Sequence, residues 1–389
     1  MDRVHCPSCW VGFTPSETLF IAEDPRLLGD PVAGAQEPLR FLPSRFDLAG
    51  AALDPEGARC VRTACPRCRI EFPRALLELP SDFISVVGAP GSGKSNLLTA
   101  MAWGLRRERS RRGVAIVDAE PRLNARLHRD ENLLFGAPES AEPVRLAKTE
   151  IAGDASLYRT VRVRGRSETL PLPLVFALHR GEDDAEPSLV VLYDNAGEHF
   201  LPGADASAQP VTRHLGRSRA VIFIFDPTQS PRFRSEVGLG GAAAAAARQD
   251  LVLTETFARV RHHRGRHAAE ALDVPLVIAL SKADAWSGGA GVDLSTEPFG
   301  ADGHLNLDAV RAMDRSLRPL LERACPELMN AARASTTRAL VVPSSAWGAG
   351  AASGPGVRPS RIRPQWATVP LLLCLPQEAD AAAVASPWT

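Results

Sequence analysis

Between residue 82 and about residue 343, short and almost wholly apolar runs alternate with longer stretches of mixed polarity. The apolar runs fall at 83–87, 114–117, 172–178, 189–193, 220–225, 275–280 and 339–342. Each is short and rich in Val, Ile, Leu and Phe, the signature of a strand. Most lack polar alternation, which predicts strands covered on both faces, as in a parallel sheet. Helices are expected over 94–109, 241–267 and 307–328, the second opening on the alanine run 242–247. Strands alternating with helices predict an α/β fold, a mostly parallel sheet flanked by helices.

The flanks differ from this core. Residues 1–80 are rich in Pro and Cys and carry only short apolar runs, so they read as a small separate head. Residues 81–350 form the α/β domain, and 351–389 a C-terminal extension. The apolar run 369–375 is bracketed by prolines and far shorter than the roughly 18 residues of a spanning helix. The chain opens without an apolar signal core, so a cytosolic protein with no membrane span is expected. Lys plus Arg and Asp plus Glu both number 45, giving zero net charge. That excludes nucleic-acid binding by bulk electrostatics and leaves the head as its one plausible route. The basic run 261–267 reads as a solvated helix end, where cations suit the negative pole of the dipole.

The most specific chemistry follows the first strand. Gly88-Ala89-Pro90-Gly91-Ser92-Gly93-Lys94-Ser95 fits G-x-x-x-x-G-K-[ST] at every defined position and leads into the helix that begins with Lys94, Ser95 and Asn96. Glycines allow backbone N–H groups to turn inward around phosphates, Lys94 supplies a charge for the β and γ oxygens, and Ser95 offers a hydroxyl to magnesium. The helix N-terminus adds its dipole. A nucleoside triphosphate site is the reading.

Three further motifs follow strands in order. Asp194, at the end of an apolar run, is placed to order magnesium, and Asp194-x-x-Gly197 matches a D-x-x-G switch whose glycine N–H meets the γ-phosphate. Asp118 also ends an apolar run, but no such turn follows it, so Asp194 is preferred. Ser281-Lys282-Ala283-Asp284 resembles the [NT]-K-x-D guanine motif, with Ser in place of Asn or Thr. There Asp284 can accept from guanine N1–H and the 2-amino group, and the Lys282 stem can cover the base. Ser344-Ser345-Ala346 resembles the [ST]-[SC]-A loop that touches the guanine oxygen.

Five of the seven cysteines lie in the head. Cys6-Pro7-Ser8-Cys9 and Cys65-Pro66-Arg67-Cys68 are two C-P-x-C knuckles, which together can complete a tetrahedral Zn–S₄ site. The 55 residues between the pairs exceed ordinary ribbon spacing, so an insertion is expected, with Cys60 and His5 as alternative ligands. Reduced thiols without metal are the alternative.

Over about residues 82–347 the motifs together resemble the TRAFAC-class P-loop GTPases. Within that class the head, the long gap from Ser95 to Asp194, and Asp226-Pro227-Thr228 after a strand resemble the bacterial double-GTPase (type 2) family of conflict or defence-like systems. The resemblance implies Mg²⁺-dependent GTP binding, GTP hydrolysis and a molecular switch acting on a protein partner of unknown identity. Thr149 is the expected switch threonine, with Thr160 and Thr169 read as strand-surface residues. Glu198 stands where a water-orienting Gln would be, which implies slow intrinsic hydrolysis raised by an arginine from a partner or a second copy. A P-loop ATPase, or a non-hydrolysing scaffold whose head docks a partner, are the rival readings.

Overall fold

All seven expected strands form, and they join one sheet: β1 (Ser81–Gly88), β2 (Val114–Asp118), β3 (Leu174–Arg180), β4 (Ser188–Asp194), β5 (Ala220–Phe225), β6 (Leu276–Leu280) and β7 (Ala339–Pro343). The computed structural model describes residues 3–107, 114–136, 142–146, 157–180, 187–195, 197–200, 210–241, 248–350, 352–353 and 356–376. Spatial order is β2-β3-β4-β1-β5-β6-β7. The five strands from β4 to β7 run parallel, while β3 is antiparallel to both β4 and β2. The fold is therefore α/β with a mostly parallel sheet flanked by helices. All five parallel strands end at one edge of the sheet, where ligands of such folds bind.

The main helices are α1 (Lys94–Arg107), α2 (Ala125–Phe135), α3 (Gln249–Arg264), α4 (Leu307–Ala324), α5 (Pro326–Ser335) and α6 (Val369–Cys374). Two differ from expectation. The span expected as one helix from 307 to 328 stops at Ala324, because Pro326 cannot continue it and instead opens α5 at its first turn. Helix α3 is described from Gln249, and 242–247 lies outside the described residues. It ends at Gly265 in the left-handed region, φ 62°. The basic run at this end is not simply solvated: Arg261 is buried and donates to the carbonyls of Glu270 and Ala334, and Arg264 to those of Gly216 and Ser218.

The hairpin Tyr158–Val163 with Arg166–Pro171 had no sequence expectation as such. Its turn, Arg164 at φ 50° and Gly165 at φ 77°, needs two left-handed residues, as tight hairpins do. Thr160 and Thr169 face each other across it, 3.1 Å between hydroxyls, so both are strand-surface residues.

Strand β4 is buried on both faces. Val190 and Leu192 join the helix-covered core, while Leu189, Val191 and Tyr193 join a second core shared with the head and the 158–171 hairpin. In the head, Val4–His5 pairs with Gly12–Phe13 and Thr63–Ala64 with Glu71–Phe72, one hairpin around each cysteine knuckle. The residues between them add strands Leu19–Ile21 and Arg40–Phe41 to the second hairpin, which is the expected insertion. In the C-terminal segment, α6 is buried against the core, and Gln365 exchanges two backbone hydrogen bonds with Ser345. Among the described residues no helix is long and apolar enough to cross a membrane.

Candidate functional site

The glycine-rich loop joins β1 to α1, with Gly91 at φ 75° and Gly93 at φ 87°, backbone that favours glycine. Lys94 is buried and pairs with one carboxylate oxygen of Asp194, the last residue of the adjacent strand β4. Arg126 of α2 holds the other oxygen, Nη2 to Oδ2 3.2 Å. Burial alone would raise the Asp194 carboxyl, but the two cations outweigh it and hold it below the ordinary aspartate value. Removing one partner of so buried a pair typically costs about 3–5 kcal/mol. Asp118, by contrast, ends β2 away from the loop and is bound by Arg106, Asn124 and His128.

Gly197 lies directly against the loop. A Cβ there would stand 2.5 Å from the Gly88 carbonyl oxygen and 2.8 Å from the Pro90 nitrogen, so no larger residue fits without displacing the loop. The turn that follows, Gly197–Phe200, is anchored by Phe200, fully buried beneath the Arg259 guanidinium. Arg259 also donates to the His199 carbonyl. The Glu198 side chain and Thr149 lie outside the described residues, as does Ala196.

The motif after β6 meets the same loop from the other side. The Ser281 hydroxyl donates to the Ser92 carbonyl at 2.7 Å, and the Lys282 ammonium reaches the Gly91 carbonyl at 3.3 Å. A hydroxyl therefore suffices to tie this turn to the phosphate loop. Lys282 sits in the left-handed region at φ 54°, and its amine also pairs with the buried carboxylate of Asp226 after β5. The Trp286 indole, completely buried, donates to the Ser281 carbonyl at 2.9 Å and fixes the turn. Ser345, after β7, donates to the Asp284 carboxylate and accepts from Gly348 N. Next to Ala346, Trp347 donates to the Asn96 side chain at 3.2 Å, so Asn96 is committed to holding α1 against this loop. Burial pushes the Asp284 carboxyl up, against the Ser345 hydrogen bond.

Thus Gly88, Pro90, Gly91, Ser92, Gly93, Lys94 and Ser95 with Asp194 and Gly197, and Ser281, Lys282, Asp284, Ser345 and Ala346, come to one edge of the sheet from four strand ends. Sequence reasoning missed Arg126, which looks like any surface arginine of a polar helix. It also missed the partner role of Asp226, whose only signal is its place after an apolar strand.

In the head, the four thiols of Cys6, Cys9, Cys65 and Cys68 are buried and lie within 4.8 Å of one another. Cys6 and Cys68 sulfurs are 3.7 Å apart, Cys9 and Cys65 3.6 Å. A tetrahedral ion with bonds of about 2.3 Å requires sulfur–sulfur edges of about 3.8 Å, so the donor set fits such a metal. The two knuckles are alike: Trp10 and Arg69, each four residues after the first cysteine, share φ near 60°, at 60° and 58°. Burial and the neighbouring thiols push the Cys6 thiol up, whereas hydrogen bonds from Cys6, Cys65 and Cys68 hold Cys9 down. Cys60 and His5 stand outside the group.

The knuckle touches the strand that carries Asp194. The Tyr193 hydroxyl donates to the Pro7 carbonyl at 2.6 Å, and its ring stacks on His214 at 4.2 Å. His214, held neutral by burial with its pKa lowered to about 3, bonds Ser85 through Nδ1 and Asn195 through Nε2. Asn195 is thereby a buried anchor as well as a turn residue.

No protein-family model matches the chain, and no curated protein matches its sequence. Solved structures with some likeness include the Arl6 (BBS3) small GTPase of Trypanosoma brucei with a bound nucleotide analogue (12% identity over 68% of this chain and 87% of that one, TM-score 0.27). Another is the signal recognition particle receptor SRb-GTP/SRX complex of Chaetomium thermophilum (16% identity, 73% and 96% covered, TM-score 0.26). A third is sup35 complexed with GDP (12% identity, 69% and 38% covered, TM-score 0.27). These overlays are loose.

Tyr193→Phe leaves the Pro7 carbonyl without its buried donor and should lower stability by about 1–3 kcal/mol in urea unfolding. An unchanged midpoint would show that this hydrogen bond contributes nothing.

Proposed function

We propose that the protein is a Mg²⁺-dependent GTP-binding switch that hydrolyses GTP slowly, with a structural zinc ion in its head. The observation that carries the reading is the meeting of two strand-end motifs on one glycine loop: Asp194 on Lys94 with Gly197 against Gly88 and Pro90, and Ser281 and Lys282 on the carbonyls of Ser92 and Gly91.

In this reading the loop N–H groups and Lys94 bind the phosphates, Lys94 leaving Asp194 for them. Ser95 and Asp194 would hold magnesium, whose few protein ligands and preference for phosphate oxygens suit this donor pair. The ion supplies charge against the phosphates. Asp284, half-buried and oriented by Ser345, accepts the guanine N1–H and 2-amino hydrogens, a pair of donors that adenine lacks. Gly197 presents its N–H to the γ-phosphate, and its turn reports whether that group is present. Thr149 closing on the nucleotide, and Glu198 orienting water, complete the proposal. The double-GTPase family, with its conflict or defence-like setting, is the family reading; its support is the cysteine head together with Asp194-Asn195-Ala196-Gly197-Glu198 and Asp226-Pro227-Thr228.

Competition between GTP and ATP for the Mg²⁺-loaded protein, read with a fluorescent nucleotide, tests the base specificity. GTP should win, and Asp284→Ala should weaken GTP by about 100-fold or more, the loss of two hydrogen bonds to a charged acceptor. Because the Asp284 pKa is raised, the preference should be full above it and fade as pH falls through it, earlier than an ordinary carboxylate near 3.9 would allow. Equal ATP binding that ignores Asp284→Ala would make the protein an ATPase.

Metal analysis of the purified protein should find about one zinc per chain, lost in Cys6→Ser with Cys68→Ser together with much of the thermal stability. Folded, metal-free protein with four reactive thiols would overturn the zinc assignment.

A further inference from the structure

Arg126 has no place in the motifs, yet its guanidinium reaches the carboxylate that pairs with Lys94. It takes one oxygen of the Asp194 carboxylate while Lys94 takes the other, so two cations meet one buried anion beside the glycine loop. The helix that carries Arg126 is held from several sides. Asn124, fully buried just before it, donates to Asp118 and the Val175 carbonyl and accepts from Val175 N, splicing the helix start to the ends of β2 and β3. His128 binds Asp118 at 2.8 Å, Arg106 ties Asp118 to Glu131, and Leu127 is buried in the core. Asp130, one turn on, lies 3.8 Å from Arg126 Nε. A guanidinium on so rigid a support is placed, not merely parked.

We propose that Arg126 is a built-in arginine for phosphoryl transfer: when nucleotide and metal claim Asp194, its guanidinium passes to the charge that develops on the γ-phosphoryl oxygens. The inference rests on the GTPase reading. In the reaction, a water oxygen bonds to the γ-phosphorus as the bond to the β–γ bridging oxygen breaks, the electron pair staying on the β-phosphate of GDP. Both water protons begin on inorganic phosphate, and one passes to solvent at neutral pH. Arg126 neither gains nor loses a proton. It offsets charge, and the chain therefore needs no arginine from a partner to turn over.

The test is single-turnover hydrolysis of bound GTP by the full chain, with no partner added. Wild type, Arg126→Ala and Arg126→Lys are compared, with GDP affinity and capture of GDP–aluminium fluoride measured on each. Arginines in this role contribute about 10³–10⁵ in rate. The expected result is measurable wild-type hydrolysis, a drop of about 100-fold or more in Arg126→Ala, and little rescue by Lys, which lacks the planar fork. GDP affinity should stay within a few-fold, which also certifies the fold, while aluminium-fluoride capture should be lost. A merely structural ion pair would leave the rate and the capture unchanged at equal GDP affinity, and that result overturns the proposal. So does wild type that binds GTP but never hydrolyses it alone. Wild type that prefers or equally accepts ATP sinks only the guanine reading, and the same variants then read Arg126 with ATP. A chain that binds no nucleotide brings down both.

Discussion

The carboxylate of Asp194 is the point on which the rest of the site depends. It ends the strand next to β1, is almost wholly buried, and keeps its charge there only because Lys94 and Arg126 flank it. Such an arrangement is costly to build, since burying ions is repaid only by close pairing. Under the proposed function each member also has a second use, in binding phosphates and a divalent ion. In the proposed switch Lys94 would turn to phosphate, Asp194 to metal, and Arg126 would face the reacting group. The pairing keeps three charged groups in position.

The same strand serves a second structure on its opposite face. Side chains alternate along β4, so Asp194 faces the loop while Tyr193 and Val191 enter the core of the head. Tyr193 is hydrogen-bonded to Pro7 inside the first cysteine knuckle and stacked on His214, which holds Asn195. The head is thus no appendage on a tether. It packs on one face of β1, β3 and β4, and its contact at Tyr193 adjoins Asp194 along the strand. The C-terminal segment plays a comparable part at the other end, where Gln365 pairs with Ser345 and so steadies the loop that orients Asp284.

Much of this was legible in the sequence. Continuous runs of Val, Ile, Leu and Phe located all seven strands, and the motifs at their ends need strict residue types, so they could be read without coordinates. The four thiols were legible for the same reason, twin knuckles being a local pattern. What stayed hidden depends on contacts across the chain. Arg126 belongs to a polar helix, and only packing reveals that it reaches Asp194, 68 positions away. The 158–171 hairpin mixes Arg with Val and offered only Gly165 as a turn signal. The break at Cys325–Pro326 lay within otherwise helical periodicity. Ser281 looked like a departure from the guanine motif, yet its hydroxyl makes the loop contact directly.

In the proposed switch, Asp194 exchanges its cationic partners for magnesium when guanine nucleotide binds. GDP affinity measured across a range of free Mg²⁺, for wild type beside Asp194→Asn, tests it most directly. The wild type should tighten markedly as Mg²⁺ rises, whereas Asp194→Asn, its Lys94 already free, should bind GDP at least as well without Mg²⁺ and gain little from it. GDP binding by the wild type that ignores Mg²⁺, or a full Mg²⁺ response in Asp194→Asn, would contradict the claim.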